Sequence, residues 1–178
     1  TRGTPWDRVT KESFPLPSFA PLAEEVRAEL EEGTGIFRLQ GLPVGKYEIE
    51  DIRRMYFGLG CHIGAPVTQN RFGEMMRVIQ DEGAEVGQRY GQMQDKDGAF
   101  LSSYARTKSS GGLRFHTDRV DVVTLLCVNQ AKKGGHSKLA STCAIHNAML
   151  AKRPDLVELL YHDYWRSRLG EEEGGDKL

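Results

Sequence analysis

His116, Thr117 and Asp118 set a histidine and a carboxylate two residues apart, immediately before the apolar run Val122-Val123-Thr124-Leu125-Leu126-Cys127-Val128. On an extended strand, residues i and i+2 point to the same face, so the two side chains could converge on one metal ion while Thr117 faces away. One imidazole nitrogen and one carboxylate oxygen, joined by a second histidine from elsewhere, form the three-ligand face that holds non-haem Fe(II) with three positions open. The tripeptide by itself is a weak signal, because short motifs recur by chance. Its surroundings have to carry the reading.

Those surroundings have a definite order. Gly111-Gly112-Leu113-Arg114-Phe115 leads into His116-Thr117-Asp118 and the apolar run, and Lys133-Gly134-Gly135-His136-Ser137-Lys138 follows. Ile145-His146-Asn147-Ala148-Met149-Leu150 and Arg153-Pro154-Asp155-Leu156 come next. Upstream lie Gly35-Ile36-Phe37-Arg38-Leu39-Gln40-Gly41 and Tyr56-Phe57-Gly58-Leu59-Gly60-Cys61-His62-Ile63-Gly64. From about residue 20 to residue 170 this succession resembles the taurine/alpha-ketoglutarate dioxygenase family of Fe(II)/2-oxoglutarate oxygenases. In that family a His-Thr-Asp segment, a buried strand, a Gly-Gly-x-Thr/Ser turn and a helix with a Pro-containing step follow at similar intervals.

The resemblance implies an Fe(II)- and 2-oxoglutarate-dependent dioxygenase acting on a small organic substrate with dioxygen, releasing succinate and CO2. It implies metal ligation by His116 and Asp118, and a hydrogen bond from the Ser137 hydroxyl to a 2-oxoglutarate carboxylate. A hydroxyl suits that role because it bonds an anion without adding charge beside the metal. Halogenating relatives replace the carboxylate with a small residue, so Asp118 favours hydroxylation or desaturation. The family's second histidine and its 2-oxoglutarate-binding arginine have no counterpart here: His162 ends an apolar run, and Arg166 and Arg168 follow it too soon. The 178 residues are therefore expected to be the N-terminal part of a longer polypeptide, or the visible part of a partly disordered one, inactive alone. A cupin-type metal protein without 2-oxoglutarate chemistry, and a non-catalytic binding module of the same fold, remain alternatives.

Composition narrows the classes. A net charge of −1 offers no electrostatic footprint for nucleic acid or an anionic membrane. No apolar stretch approaches bilayer length. Three separated cysteines, Cys61, Cys127 and Cys143, argue against a disulfide framework and fit a reducing cytoplasm, with Cys127 expected as a buried core thiol. Homo-oligomerisation stays open.

The positioning elements are legible in outline. Residues 1–20 hold Pro5, Pro15 and Pro17 and read as an extended lead-in pinned by Trp6 and Phe14. Leu22, Val26 and Leu30 mark a helix over 21–32 that stops at Gly33, and Ile49, Ile52, Tyr56 and Leu59 mark another over 48–60. Strands are expected at 35–41, 75–79, 113–118 and 122–128, the last apolar on both faces and so central. The polar stretch 81–112 has little periodicity, and a loop of that length is often functional. Tyr104, Arg106 and Arg114, which precede the motif, could meet a carboxylate-bearing substrate. Ser141 or Thr142 caps a helix to about Lys152, and Pro154 opens another to about Tyr161. His62 is expected as a cap or surface residue, His136 as solvated. The fold class that follows is α+β with a mainly β core: one domain over 1–178, a distorted double-stranded β-helix (jelly roll) with flanking helices, incomplete in this sequence.

Overall fold

Proline and capping chemistry mark where several of the helices begin. A computed structural model describes residues 3–69, 73–83, 86, 106–110, 112–118 and 120–165. Contacts divide the chain into two units, one formed by Thr1–Pro66 with Val122–Trp165 and the other by Val67–Asp121 with Arg166–Leu178.

In the first unit, α1 (Ala20–Glu31) carries Pro21 in its first turn, where a missing N–H leaves no helix bond unmade. Ala23 and Val26 are its buried residues, one turn apart on a single face. Its far end is closed by Glu29, whose side chain accepts hydrogen bonds from the Thr34 N–H at 2.9 Å and hydroxyl at 2.7 Å. Those bonds hold the Glu29 carboxyl below the usual carboxylate range. The chain then reverses through Gly35 at φ 76°, a conformation that suits glycine.

The second helix, α2 (Ile49–Ile63), has Glu50 and Asp51 in its first turn, where acidic groups complement the helix dipole. Ile52, Phe57, Gly58 and His62 are buried on its inner face. Arg27 of α1 donates to the His62 carbonyl at 2.6 Å, satisfying one of the carbonyls that a helix leaves open at its end.

The lead-in is pinned as expected, and by more than its two aromatic rings. Trp6, in a 3-10 turn over Trp6–Arg8, meets Phe57 edge-on at 5.5 Å. Such a contact is worth about 0.5–1.5 kcal/mol beyond area burial. Phe14 lies against Gly58 so closely that a Cβ there would come within 2.5 Å of its ring. Val9 is buried, and the Cys61 thiol donates to its carbonyl at 3.6 Å. Burial pushes that thiol up from its ordinary value.

His62 departs from the surface or cap role expected of it. It is only 6% exposed, and its Nε2–H donates to the Phe14 carbonyl at 2.8 Å. Phe19 presents its ring edge-on to the imidazole. A buried polar ring needs such a partner, and the lead-in supplies it.

The other helices follow their start signals closely. Ser141 Oγ accepts the Ala144 N–H at 3.3 Å and opens α3 (Thr142–Lys152). Pro154 begins α4 (Pro154–Leu159), which ends short of the expected Tyr161. Arg153, between them, pairs with Asp155 at 2.6 Å. Tyr161, just past α4, reaches back to α3, its hydroxyl 3.3 Å from His146 Nε2.

Among the described residues, none of the segments expected as strands is paired as one. The run 122–128 is not a buried centre: Val122, Val123 and Leu125 are 42%, 55% and 66% exposed. Cys127 is exposed as well, against the expectation of a core thiol. A strand apolar on both faces needs a packed layer on each side; here only Leu126 and Val128 are half-buried, and the run meets Tyr56 of α2. Its hydroxyl lies 2.6 Å from Thr124 Oγ1, and burial raises the phenol above its ordinary value. No described helix is long and apolar enough to cross a membrane.

Candidate metal centre

The His116–Asp118 pair lies in the unit formed by Val67–Asp121 with Arg166–Leu178. Residues 112–118 are exposed, with Leu113 at 47% and Phe115 at 71%. His116 is oriented locally: its Nδ1 lies 2.7 Å from the carbonyl oxygen of Arg114, two residues earlier. A carbonyl only accepts, so Nδ1 carries the proton. In the neutral ring the lone pair therefore falls on Nε2. That atom faces Asp118, with Oδ2 at 4.0 Å.

Two readings of this contact differ in energy and in purpose. At 4.0 Å the two atoms are too far apart for a direct hydrogen bond. As an ion pair of protonated histidine with carboxylate, both sides about half exposed, it would contribute at most about 1 kcal/mol. As a donor set the pair is better matched. One unprotonated imidazole nitrogen and one anionic oxygen sit on the same side of the chain, with the other ring nitrogen held by a backbone carbonyl, as metal-ligating histidines commonly are. Neighbouring ligands on an ion with bonds of about 2.0–2.2 Å stand roughly 3 Å apart, so a small rotation of two exposed side chains would close the set. The chemistry of these residues fits a divalent cation.

The set stops at two. Among the described residues no group of three or more His, Cys, Asp or Glu side chains could hold a metal. His136 and His162 are exposed, and His146 is half-buried against Tyr161.

Ser137 lies in the other unit, in an exposed turn after Gly134 and Gly135. Those glycines adopt φ 77° and 70°, and a Cβ on Gly135 would come 3.1 Å from the Ala131 methyl. This turn thus requires glycine on two counts. Of the earlier candidates for substrate carboxylate, Arg114 is exposed and Arg106 half-buried, while Tyr104 lies outside the described residues. Most of the 81–112 stretch lies outside them too.

One feature of this unit had no signal in the sequence. Lys108 and Glu82, 26 positions apart, form a largely enclosed ion pair. Neither belongs to a motif, and nothing in local periodicity joins them.

Comparison with known proteins places the chain in context. Residues 1–177 match the family described as taurine catabolism dioxygenase TauD, TfdA family. FR-33289 synthase of Streptomyces rubellomurinus is 30% identical over 173 residues, 97% of this chain and 47% of that protein. Taurine hydroxylase-like protein SAT17 of Stachybotrys chartarum is 30% identical over 165 residues, 92% of this chain and 41% of that protein. The chain thus spans less than half the length of either relative. No solved structure matches it.

Proposed function

Since the chain belongs to the taurine catabolism dioxygenase TauD, TfdA family, we propose that it forms part of an Fe(II)- and 2-oxoglutarate-dependent dioxygenase that oxidises a small organic substrate. The observation that carries this reading is the orientation of His116. Its Nδ1–H is engaged by the Arg114 carbonyl, and its Nε2 is turned toward Asp118. His116 and Asp118 are the residues that would hold the iron. Bound there, Fe(II) supplies the oxidative chemistry with dioxygen and 2-oxoglutarate, which leaves as succinate and CO2.

The chain's own contributions are positioning and charge. Arg114, through its carbonyl, fixes the tautomer and setting of His116. Asp118 lends one negative charge and so offsets part of the cation's. Ser137 donates its hydroxyl to a 2-oxoglutarate carboxylate, and the glycine turn before it fixes where that hydroxyl starts. The run 122–128 belongs to a jelly-roll sheet in this reading, which is why it is apolar on both faces. The name of one relative, a taurine hydroxylase-like protein, favours hydroxylation among the possible outcomes.

The test is stoichiometry in the full-length oxygenase. Succinate should form in proportion to oxidised substrate, only with Fe(II) and dioxygen present. Oxidation that proceeds without consuming 2-oxoglutarate would favour a cupin-type metal protein instead.

A further inference from the structure

Two sequence-distant segments of the Val67–Asp121 stretch are tied together at one point. The Gln80 N–H donates to the Thr107 carbonyl at 3.2 Å, and the Glu82 N–H to the Lys108 carbonyl at 2.8 Å. The side chains of the second pair then close on each other. Lys108 Nζ lies 2.9 Å from Glu82 Oε1, with the side chains only 13% and 14% exposed. Every other ion pair between described residues has at least one member more than half exposed.

An ion pair this enclosed is not explained by stability alone, since removing two charges from water offsets much of their attraction. What it provides is register. The two backbone hydrogen bonds align 80–82 with 107–108, and the ammonium donating to the carboxylate locks that alignment. Immediately after the tie, the Ser109 N–H and hydroxyl both turn back to the Arg106 carbonyl. The chain then runs out into the exposed residues 112–118 that carry His116 and Asp118.

We infer that Glu82 and Lys108 are positioning residues for the His116–Asp118 pair. Neither touches the metal. They fix the point from which the ligand-bearing segment departs, and so limit the orientations over which two exposed donors must be gathered. A shorter stretch between the tie and the donors lowers the ordering entropy that a cation must offset. The role as positioning residues rests on the metal reading above.

The 178-residue chain tests it with two independent readouts. The first is metal-free 15N relaxation of the 112–118 amides. Their order parameters should fall in Glu82→Gln and in Lys108→Met, hold in Lys108→Arg, and recover in the charge-exchanged double Glu82→Lys/Lys108→Glu. The second is Mn(II) alone, followed by paramagnetic broadening of the His116 ring protons. Its midpoint should rise about tenfold in the two single variants, the lower end of what losing an outer support costs a metal site. Unchanged order parameters in both single variants would overturn the inference, whatever the metal does. Loss of fold in Lys108→Arg as well as Lys108→Met would make the pair a general support, and would also overturn it. Absence of His116 broadening in the parent chain, with the order parameters behaving as stated, would count against the metal reading and leave the anchoring intact.

Discussion

His116 Nε2 and Asp118 Oδ2 stand 4.0 Å apart across Thr117, and the far side of the imidazole is held by the Arg114 carbonyl at 2.7 Å. Three alternate residues of a mostly exposed segment thus define one donor face: Arg114 sets the ring, His116 offers nitrogen and Asp118 offers oxygen.

Replacing Asp118 or His116 by Ala in the full-length oxygenase should abolish turnover, because each removes one of the few groups that hold the metal. Succinate release with saturating Fe(II) and 2-oxoglutarate is the measurement. Undiminished release from Asp118→Ala would remove that residue from the metal site.

Ser137→Ala should leave maximal turnover largely intact and raise the 2-oxoglutarate concentration needed to reach it. The loss is one hydrogen bond, about 0.5–1.5 kcal/mol, or up to roughly tenfold in apparent affinity. A kcat that falls while the 2-oxoglutarate KM stays constant would contradict the assigned contact.

Gly58→Ala should dislodge the lead-in, since its Cβ would meet the Phe14 ring at 2.5 Å. Overpacking of this kind costs about 1–3 kcal/mol. Urea unfolding reads the cost, and a red shift in Trp6 emission should accompany it as the ring leaves Phe57. Equal stability and unchanged emission would mean that the ring does not pack there in solution.

Glu29 should show a pH signature at the end of α1. Hydrogen bonds from Thr34 lower its carboxyl below the ordinary value, so they favour the folded, ionised form. The sign follows from linkage: the contribution is present above the unfolded-state value and is lost as pH falls through the lower folded-state value. Thr34→Val removes the hydroxyl donor and should move the Glu29 titration, followed by its carboxyl carbon shift, back toward the ordinary range. No movement would place the cause elsewhere.

The helices were legible from residues alone because helix signals are local. Pro21, Ser141 and Pro154 mark starts that the structure places within a residue or two, and Gly33 and Arg153 flank the ends. A helix closes its hydrogen bonds within a few residues, so its boundaries can be read from a short window. The His116–Asp118 juxtaposition was legible for a similar reason, since residues two apart need only an extended backbone to share a face. Family membership was also carried by the order of motifs along the chain, and the match over residues 1–177 agrees with it.

Tertiary structure decided the rest. Whether His62 lies on the surface or inside depended on a carbonyl 48 residues earlier in the chain, at Phe14. Whether Cys127 and its apolar neighbours are buried depends on layers supplied from elsewhere, which residues 122–128 cannot specify by themselves. The closure of Lys108 on Glu82 joined positions with no shared periodicity. In each case the deciding partner is remote along the chain. Hydrogen-bonding capacity and hydrophobicity are written in the residue, but the identity of the group that meets it is settled only when distant segments pack.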